Sequence, residues 1–186
     1  MKIEFRDYTV LEKDEHIELL GIRNLDFVRA GTNDTKIIEL ESHLSWVENL
    51  KEDDSKLFYG VYVDGYLLGG INLFDIDKKT AHWGLFFKQA INPFITSFAT
   101  YLLMDRAFEH FGVAQMFLEV NKKNINAYKF DLNFGFTVYD EYKNEDEAFY
   151  KMSLSKDKWS TKKESGLLGI IYKKIQTVEY KFIERR

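Results

Sequence analysis

Apolar residues alternate with charged ones at the start of the chain, where Ile3, Phe5, Tyr8 and Val10 predict a first strand of the edge type. Within residues 13–23, Ile17, Leu19 and Leu20 predict a short helix with Gly21 near its end. Residues 24–34, which hold Gly31, Asn33 and Asp34, read as a loop. Beyond it Ile37, Leu40, Leu44 and Val47 recur at spacings of three, four and three, the stripe of an amphipathic helix. Residues 57–63 and 66–74 are two β-rich runs around Asp64-Gly65, a dipeptide that predicts a type I′ hairpin. A third run, 81–87, follows a turn at Asp77-Lys78-Lys79 and extends the meander. Gly65, Gly69 and Gly70 read as structural glycines of this hairpin region.

Asn92-Pro93 opens a helix, with Asn as its cap and Pro at its first position. Phe94, Phe98, Tyr101, Leu102, Ala107 and Phe108 carry it to about Phe111, and Gly112 ends it. Residues 116–120 form a short buried strand, and residues 124–133 a helix closed by Gly135. The last two strands, 136–142 and 148–154, flank an acidic turn at Asn144-Glu145-Asp146. No internal repeat is visible. The crossover through the helix from Asn92 makes the strand at Met116 parallel to the one at Ala81, which predicts an α/β domain on a mixed, mostly antiparallel sheet.

The 186 residues, 45% hydrophobic and 30% charged, suit one globular domain. With 26 Lys+Arg against 30 Asp+Glu the net charge is −4, which argues against nucleic acid as a partner. No apolar run approaches the roughly 18 residues of a membrane span, and the start of the chain lacks a signal-peptide core, so a cytoplasmic protein is expected. The absence of cysteine excludes disulfides, thiolate metal sites and a cysteine nucleophile. Residues 155–186 carry nine Lys+Arg and four Asp+Glu, or +5, leaving −9 for residues 1–154. The expected organisation is a domain over 1–154 and a basic extension over 155–186. The apolar stretch of that extension, Leu167, Leu168, Ile170, Ile171 and Ile175, predicts a packing or homodimer contact in preference to a membrane-surface helix, and Gly166 and Gly169 read as flexible.

His16, His43, His82 and His110 are isolated in sequence, so no metal site is expected. There is no nucleophile elbow, no phosphate-binding P-loop and no dinucleotide fingerprint. The informative segment is 118–136, where Leu118-Glu119-Val120, Asn124, Ala127 and Gly135-Phe136 follow one another. It resembles the C-terminal half of the GNAT family of N-acetyltransferases, in which a strand ending L-x-V is followed by N-x-x-A, a short helix and G-F. The predicted strand order over residues 3–154 matches that fold as well. Within the family the chain looks most like the sugar-nucleotide N-acetyltransferases of the bacterial pseudaminic-acid pathway. That likeness is carried by Ile22-Arg23-Asn24, Ser42-His43-Leu44 with Trp46, Trp83-Gly84-Leu85-Phe86, Asn92-Pro93-Phe94 and Ala107-Phe108-Glu109.

The resemblance implies a sheet splayed between its central strands, with helices on both faces. It also implies acetyl-CoA as co-substrate, a small-molecule amine acceptor, and the backbone of residues 84–87 as the cradle of the thioester. The side of acetyl-CoA would comprise Leu85, Phe86, Phe87, Asn92, Phe94, Ser97 and Asn124; Arg23, His43 and Trp46 would face the acceptor, with Phe27 available for stacking. Direct attack of an amine on a thioester needs a base, an oxyanion donor and an acid for the thiolate. Glu119 is the expected base, against the alternative of a solvated strand-end carboxylate. Arg23 suits a diphosphate through its bidentate fork or, alternatively, a helix C-terminal dipole; His43 is equally readable as a packed core residue.

Two departures from the family pattern keep other readings open. The family's glycine-rich pyrophosphate loop is replaced by residues 89–99, beginning Gln89-Ala90-Ile91-Asn92-Pro93, and Pro93 removes a backbone donor. Asp131 stands where the family usually has a thiolate-protonating Tyr, and a carboxyl group donates at neutral pH only if its pKa is strongly raised. The alternatives are a GNAT-fold binding or assembly module without turnover, and the same scaffold acting on another amine such as a polyamine.

Overall fold

The computed structural model describes residues 1–32, 35–77, 79–144 and 147–185. Asn33 and Asp34 of the expected loop, Lys78 of the expected turn, and Glu145 and Asp146 of the acidic turn lie outside the described residues. The strands are β1 (Lys2–Asp7), β2 (Leu57–Val63), β3 (Tyr66–Phe74), β4 (Thr80–Phe87), β5 (Gln115–Asn121), β6 (Thr137–Asn144), β7 (Glu147–Ser155) and β8 (Glu179–Ile183). The helices are α1 (Lys13–Arg23), α2 (Asp26–Arg29), α3 (Leu40–Leu50), α4 (Pro93–Asp105), α5 (Ile125–Phe134), α6 (Lys156–Lys162) and α7 (Gly166–Ile175).

All strands join one mixed sheet in the order β6-β7-β5-β4-β3-β2-β1-β8. The pairs β1–β2, β2–β3, β3–β4, β5–β7 and β6–β7 are antiparallel, whereas β4–β5 and β1–β8 are parallel. Asp64 (φ 49°) and Gly65 (φ 88°) both take the left-handed conformation at the β2–β3 turn, the type I′ geometry that Asp-Gly predicts. Asn92 caps α4 by accepting the Phe94 N–H, and Gly135 (φ 100°) closes α5.

The sheet separates two apolar layers. On one face Trp83, Phe87, Phe98, Phe108, Phe136 and Trp159 belong to the large core beneath α4, α6 and α7. On the other, Tyr8, Leu19, Ile22, Val47 and Leu50 pack with Trp46, Phe58 and Phe86 beneath α1 and α3. Because successive side chains of a strand point to opposite faces, Phe86 and Phe87 serve different layers.

Several expectations are corrected. β1 is an interior strand, because β8 pairs along it in register from Lys2↔Glu179 to Arg6↔Ile183 and buries Ile3 and Phe5 completely. It stops at Asp7, whose side chain accepts the Thr9 N–H and turns residues 8–10 into a single 3-10 turn. Residues 24–32 contain the one-turn helix α2, and α3 starts at Leu40, leaving Ile37 outside it and exposed. Gly69 and Gly70 are positions of close approach: a Cβ on Gly69 would lie 2.1 Å from the Phe86 carbonyl oxygen, and one on Gly70 would lie 2.5 Å from the Tyr8 hydroxyl. Gly166 and Gly169 belong to α7, where Gly169 is buried against the Glu164 backbone. Among the described residues no helix is long and apolar enough to cross a membrane.

Candidate active site

The β4–β5 register covers only Thr80↔Gln115, Ala81↔Met116 and His82↔Phe117. Beyond it β4 continues to Phe87 and β5 to Asn121 without pairing to each other, so backbone groups of the two strands line a wedge. A cleft of about 1110 Å³ opens from this wedge toward α1 and α3. Gly84 narrows nothing, and its missing side chain leaves the Asn72 amide at the wall; a Cβ there would lie 3.2 Å from Asn72 Oδ1.

Ten residues expected at the site meet on this cleft: Arg23, Phe27, His43 and Trp46 on the helical side, Leu85, Phe86 and Phe87 on β4, and Glu119, Asn124 and Asp131 on β5 and α5. Asn92, Phe94 and Ser97 lie outside its lining. Asn92 is engaged as the α4 cap, and Phe94 packs on Phe98 under the Lys174 ammonium. Thr96 reaches the wall in place of Ser97, since one residue along a helix rotates a side chain by about 100°. The cap also uses the Phe94 amide, and Ile95 N–H donates to the Asn92 carbonyl, so the first amides of α4 are already partnered.

Glu119 stands near the end of β5, and its Oε2 accepts the Tyr142 hydroxyl at 2.6 Å. Asp131 lines the cleft, 5% exposed, and among the described residues its carboxyl receives no side-chain hydrogen bond. Burial alone pushes its pKa up to about 8, which keeps it protonated at neutral pH. Asn124 caps α5 by accepting the Ala127 N–H at 3.1 Å, the physical content of the N-x-x-A spacing. Asn24 clamps Ile38 through two hydrogen bonds, Nδ2 to its carbonyl and Oδ1 from its amide. That clamp brings the ends of the 24–38 segment together, and Gly31 of the segment approaches the Asn124 amide across the cleft mouth.

The α1–α3 end of the cleft is aromatic. Trp46 stacks edge-on to Phe58 at 4.8 Å and to Tyr8 at 6.3 Å. His43, buried beside Trp46, has its pKa lowered to about 4 by burial and by the neighbouring His16, so it is neutral. Sequence reasoning missed Tyr8, Phe58, Asn72 and Tyr142. Asn72 left a signal, a polar residue interrupting the apolar run Ile71-Asn72-Leu73 directly opposite Gly84. Tyr142 left none, because it reaches Glu119 from two strands away.

A mixed sheet that parts between two parallel central strands, with a helix crossing over from one to the other, is the architecture of the GNAT N-acetyltransferases. No protein-family model matches the chain. Two sequences named Acetyltransferase PseH, both from Campylobacter jejuni, are similar to it. That of serotype O:23/36 is 28% identical over 152 residues, spanning 82% of this chain and 93% of the relative. That of serotype O:2 is 32% identical over 123 residues, spanning 64% and 73%. The crystal structure of the Campylobacter jejuni N-acetyltransferase PseH in complex with acetyl coenzyme A superposes with a TM-score of 0.67 at 27% identity, covering 82% of this chain and 98% of the other. A Vibrio cholerae spermidine N-acetyltransferase reaches a TM-score of 0.74 at 13% identity, covering 85% and 98%, which is likeness of fold alone. The chain belongs to the PseH family of acetyltransferases and is an N-acetyltransferase of the GNAT fold.

Proposed function

We propose that this enzyme moves the acetyl group of acetyl-CoA to the primary amine of an amino-sugar nucleotide. The observation that carries the reading is the composition of the cleft. One end is a backbone-lined wedge suited to a pantetheine arm and thioester, and the other is an aromatic lobe with Arg23 at its wall. Among the described residues the charged groups of the lining are Arg23, Asp75 and Glu119, with Asp131 held neutral. A polyamine acceptor would call for several carboxylates there, whereas a sugar nucleotide calls for stacking surfaces and a cation for its diphosphate. With Asp131 neutral, the described lining carries two carboxylates against one cation, and the cation stands at the aromatic end.

In this reading Glu119, oriented by Tyr142, takes the proton of the acceptor ammonium, directly or through water. The free amine attacks the thioester carbonyl carbon, and β4 backbone N–H groups within residues 84–87 face the negative charge that develops on its oxygen. The C–S bond then breaks, the acyl carbon stays on nitrogen as the amide, and Asp131 gives its proton to the departing thiolate. Leu85, Phe86, Phe87 and Asn124 border the thioester arm, and His43 and Trp46 border the acceptor. Asn92, Phe94 and Ser97 are assigned a role in shaping the α4 entry to the wedge. Residues 155–186 are read as an extension of the 1–154 domain, with exposed Leu167 and Ile170 of α7 as a homodimer contact. A cytoplasmic enzyme is part of the same reading.

The test is an acetyl-transfer assay following thiol release, with a UDP-linked amino sugar and spermidine as competing acceptors. Turnover with the nucleotide sugar and a kcat/KM at least tenfold lower with spermidine is expected. Preference for spermidine would replace the substrate assignment.

A further inference from the structure

Asn72 interrupts the apolar run of β3 between Ile71 and Leu73, both fully buried, at a position where a strand rarely keeps an amide. It is half-buried on the cleft wall, and among the described residues its amide makes no hydrogen bond. Polar side chains that a fold encloses are paired within it as a rule, so one left open on a cavity calls for a partner from outside. The sheet register shows what stands around it. Asn72 pairs with Gly84 across β3–β4 and with Phe58 across β2–β3, so all three share the face that looks toward α1 and α3. Continuing the β4–β5 register by two residues from His82↔Phe117 sets Gly84 opposite Glu119 on that same face, where the two strands have already parted. Phe58, Asn72, Gly84 and Glu119 therefore form one row across the cleft.

Gly84 is the gap in this row. With no side chain there, the space between the Asn72 amide and the Glu119 carboxylate is floored by backbone alone, and a Cβ would intrude to 3.2 Å from Asn72 Oδ1. Two strand spacings, about 10 Å between the β3 and β5 backbones before they splay, separate the two polar groups. We propose that Asn72 is a specificity-determining residue that reads a hydroxyl or acylamino substituent beside the reacting amine of the acceptor. The amine faces Glu119 over Gly84, and the carbon framework that bears it extends across the gap toward β3. A primary amide is uncharged and offers a carbonyl acceptor together with N–H donors, so it matches a neutral group that both donates and accepts. A hydroxyl does both at one atom, and an acylamino group at two. The anionic part of a nucleotide sugar falls instead to Arg23. A polyamine carries only methylenes and ammonium donors beside its amine, and would leave the Asn72 carbonyl or N–H groups unpaired.

This role stands on the amino-sugar reading given above, and the test separates the two. It compares two UDP-linked amino sugars that differ only at the position next to the amine, one with a hydroxyl and one with hydrogen. Both are assayed with the wild type and with Asn72→Leu, which keeps the branched outline of the side chain without its polar atoms. The wild type should favour the hydroxyl compound about tenfold or more in kcat/KM, and in Asn72→Leu that ratio should fall below about two, with the acetyl-CoA Kd within about twofold of the wild type. A residue with a structural role only would lower activity toward both compounds alike, and a ratio preserved in Asn72→Leu would overturn the proposal. So would a wild type that uses the two compounds equally, a result that needs no variant to fold. Turnover of spermidine with neither sugar accepted would defeat the substrate reading and the Asn72 role together. Equal use of both sugars with spermidine refused would remove the Asn72 role alone.

Discussion

The Tyr142 hydroxyl donates to Glu119 Oε2 at 2.6 Å, joining the outermost strand β6 to the end of β5 across the intervening β7. A carboxylate held this way presents itself to the wedge in one orientation, which a strand-end Glu free to rotate would not do. Glu119→Gln is expected to lower kcat by about 10²–10⁴, the usual weight of a general base, with the Kd of acetyl-CoA nearly unchanged. Calorimetry alongside steady-state kinetics checks both halves, and equal activity in the variant would take Glu119 out of the mechanism.

Tyr142→Phe keeps the ring and its stacking on Phe149 while deleting the donor. One hydrogen bond to a charged group is worth about 1.5–3 kcal/mol, so kcat should fall by a factor of about ten and its pH profile should shift. A fall as large as that of Glu119→Gln would instead mark the phenol as a proton carrier in its own right.

Asp131 links stability and activity to pH in the same direction, since both depend on its proton. Its folded pKa of about 8 lies above the ordinary value of 3.8, so its contribution to stability is full below about pH 4 and is lost as pH rises through 8. Asp131→Asn should flatten that part of the stability curve and raise the melting temperature at pH 8.5, while lowering kcat at every pH. In the wild type, kcat should decline above pH 8 as the acid ionises; Asp131→Tyr should move that decline toward higher pH. A wild-type profile flat through pH 9.5 would assign the thiolate proton to another group.

Gly69 and Gly70 let β3 run against Phe86 and Tyr8 with no room for a side chain. Gly69→Ala drives a Cβ into backbone, which cannot yield, and should lower the melting temperature by 10 °C or more or abolish soluble expression. Gly70→Ala meets side-chain atoms instead and should cost less, and Tyr8→Phe in the same chain should recover part of it. Thermal melts of the single and double variants test this directly.

The tail is anchored by its penultimate residue. Arg185 donates to the carbonyls of Leu50, Asp53 (3.0 Å) and Lys56 (3.1 Å), closing the C-terminal end of α3, and Glu184 pairs with Arg106 and accepts the Tyr59 hydroxyl. Arg185→Ala should remove about 2 kcal/mol and lower the melting temperature by about 4–8 °C. Equal melting points would show that β8 holds to β1 without this clamp.

Local chemistry was legible in the sequence wherever a residue acts on its own neighbours. Asp64-Gly65, Asn92-Pro93, Asn124 and Gly135 announce their turn or cap because the hydrogen bond or positive φ falls within three residues. The interior position of β1 was not legible, since β8 covers it from about 177 residues away and itself shows little periodicity. The site divides in the same way. Glu119, Asn124 and the β4 backbone could be placed by their spacing on known motifs, whereas Asn72 and Tyr142 come to the cleft through the sheet register. The neutral states of Asp131 and His43 depend on burial by several elements at once, and no local pattern carries that information.

The central claim is that this cleft binds acetyl-CoA although its α4 entry is built from Asn92 and Pro93 without the family's glycines. Calorimetric titration of the purified protein with acetyl-CoA needs no knowledge of the acceptor. Saturable binding at one site per chain with a Kd in the micromolar range is the predicted result. No binding heat across a range of temperatures, with the protein shown to be folded, would contradict it and make a fold-retaining module without turnover the better description.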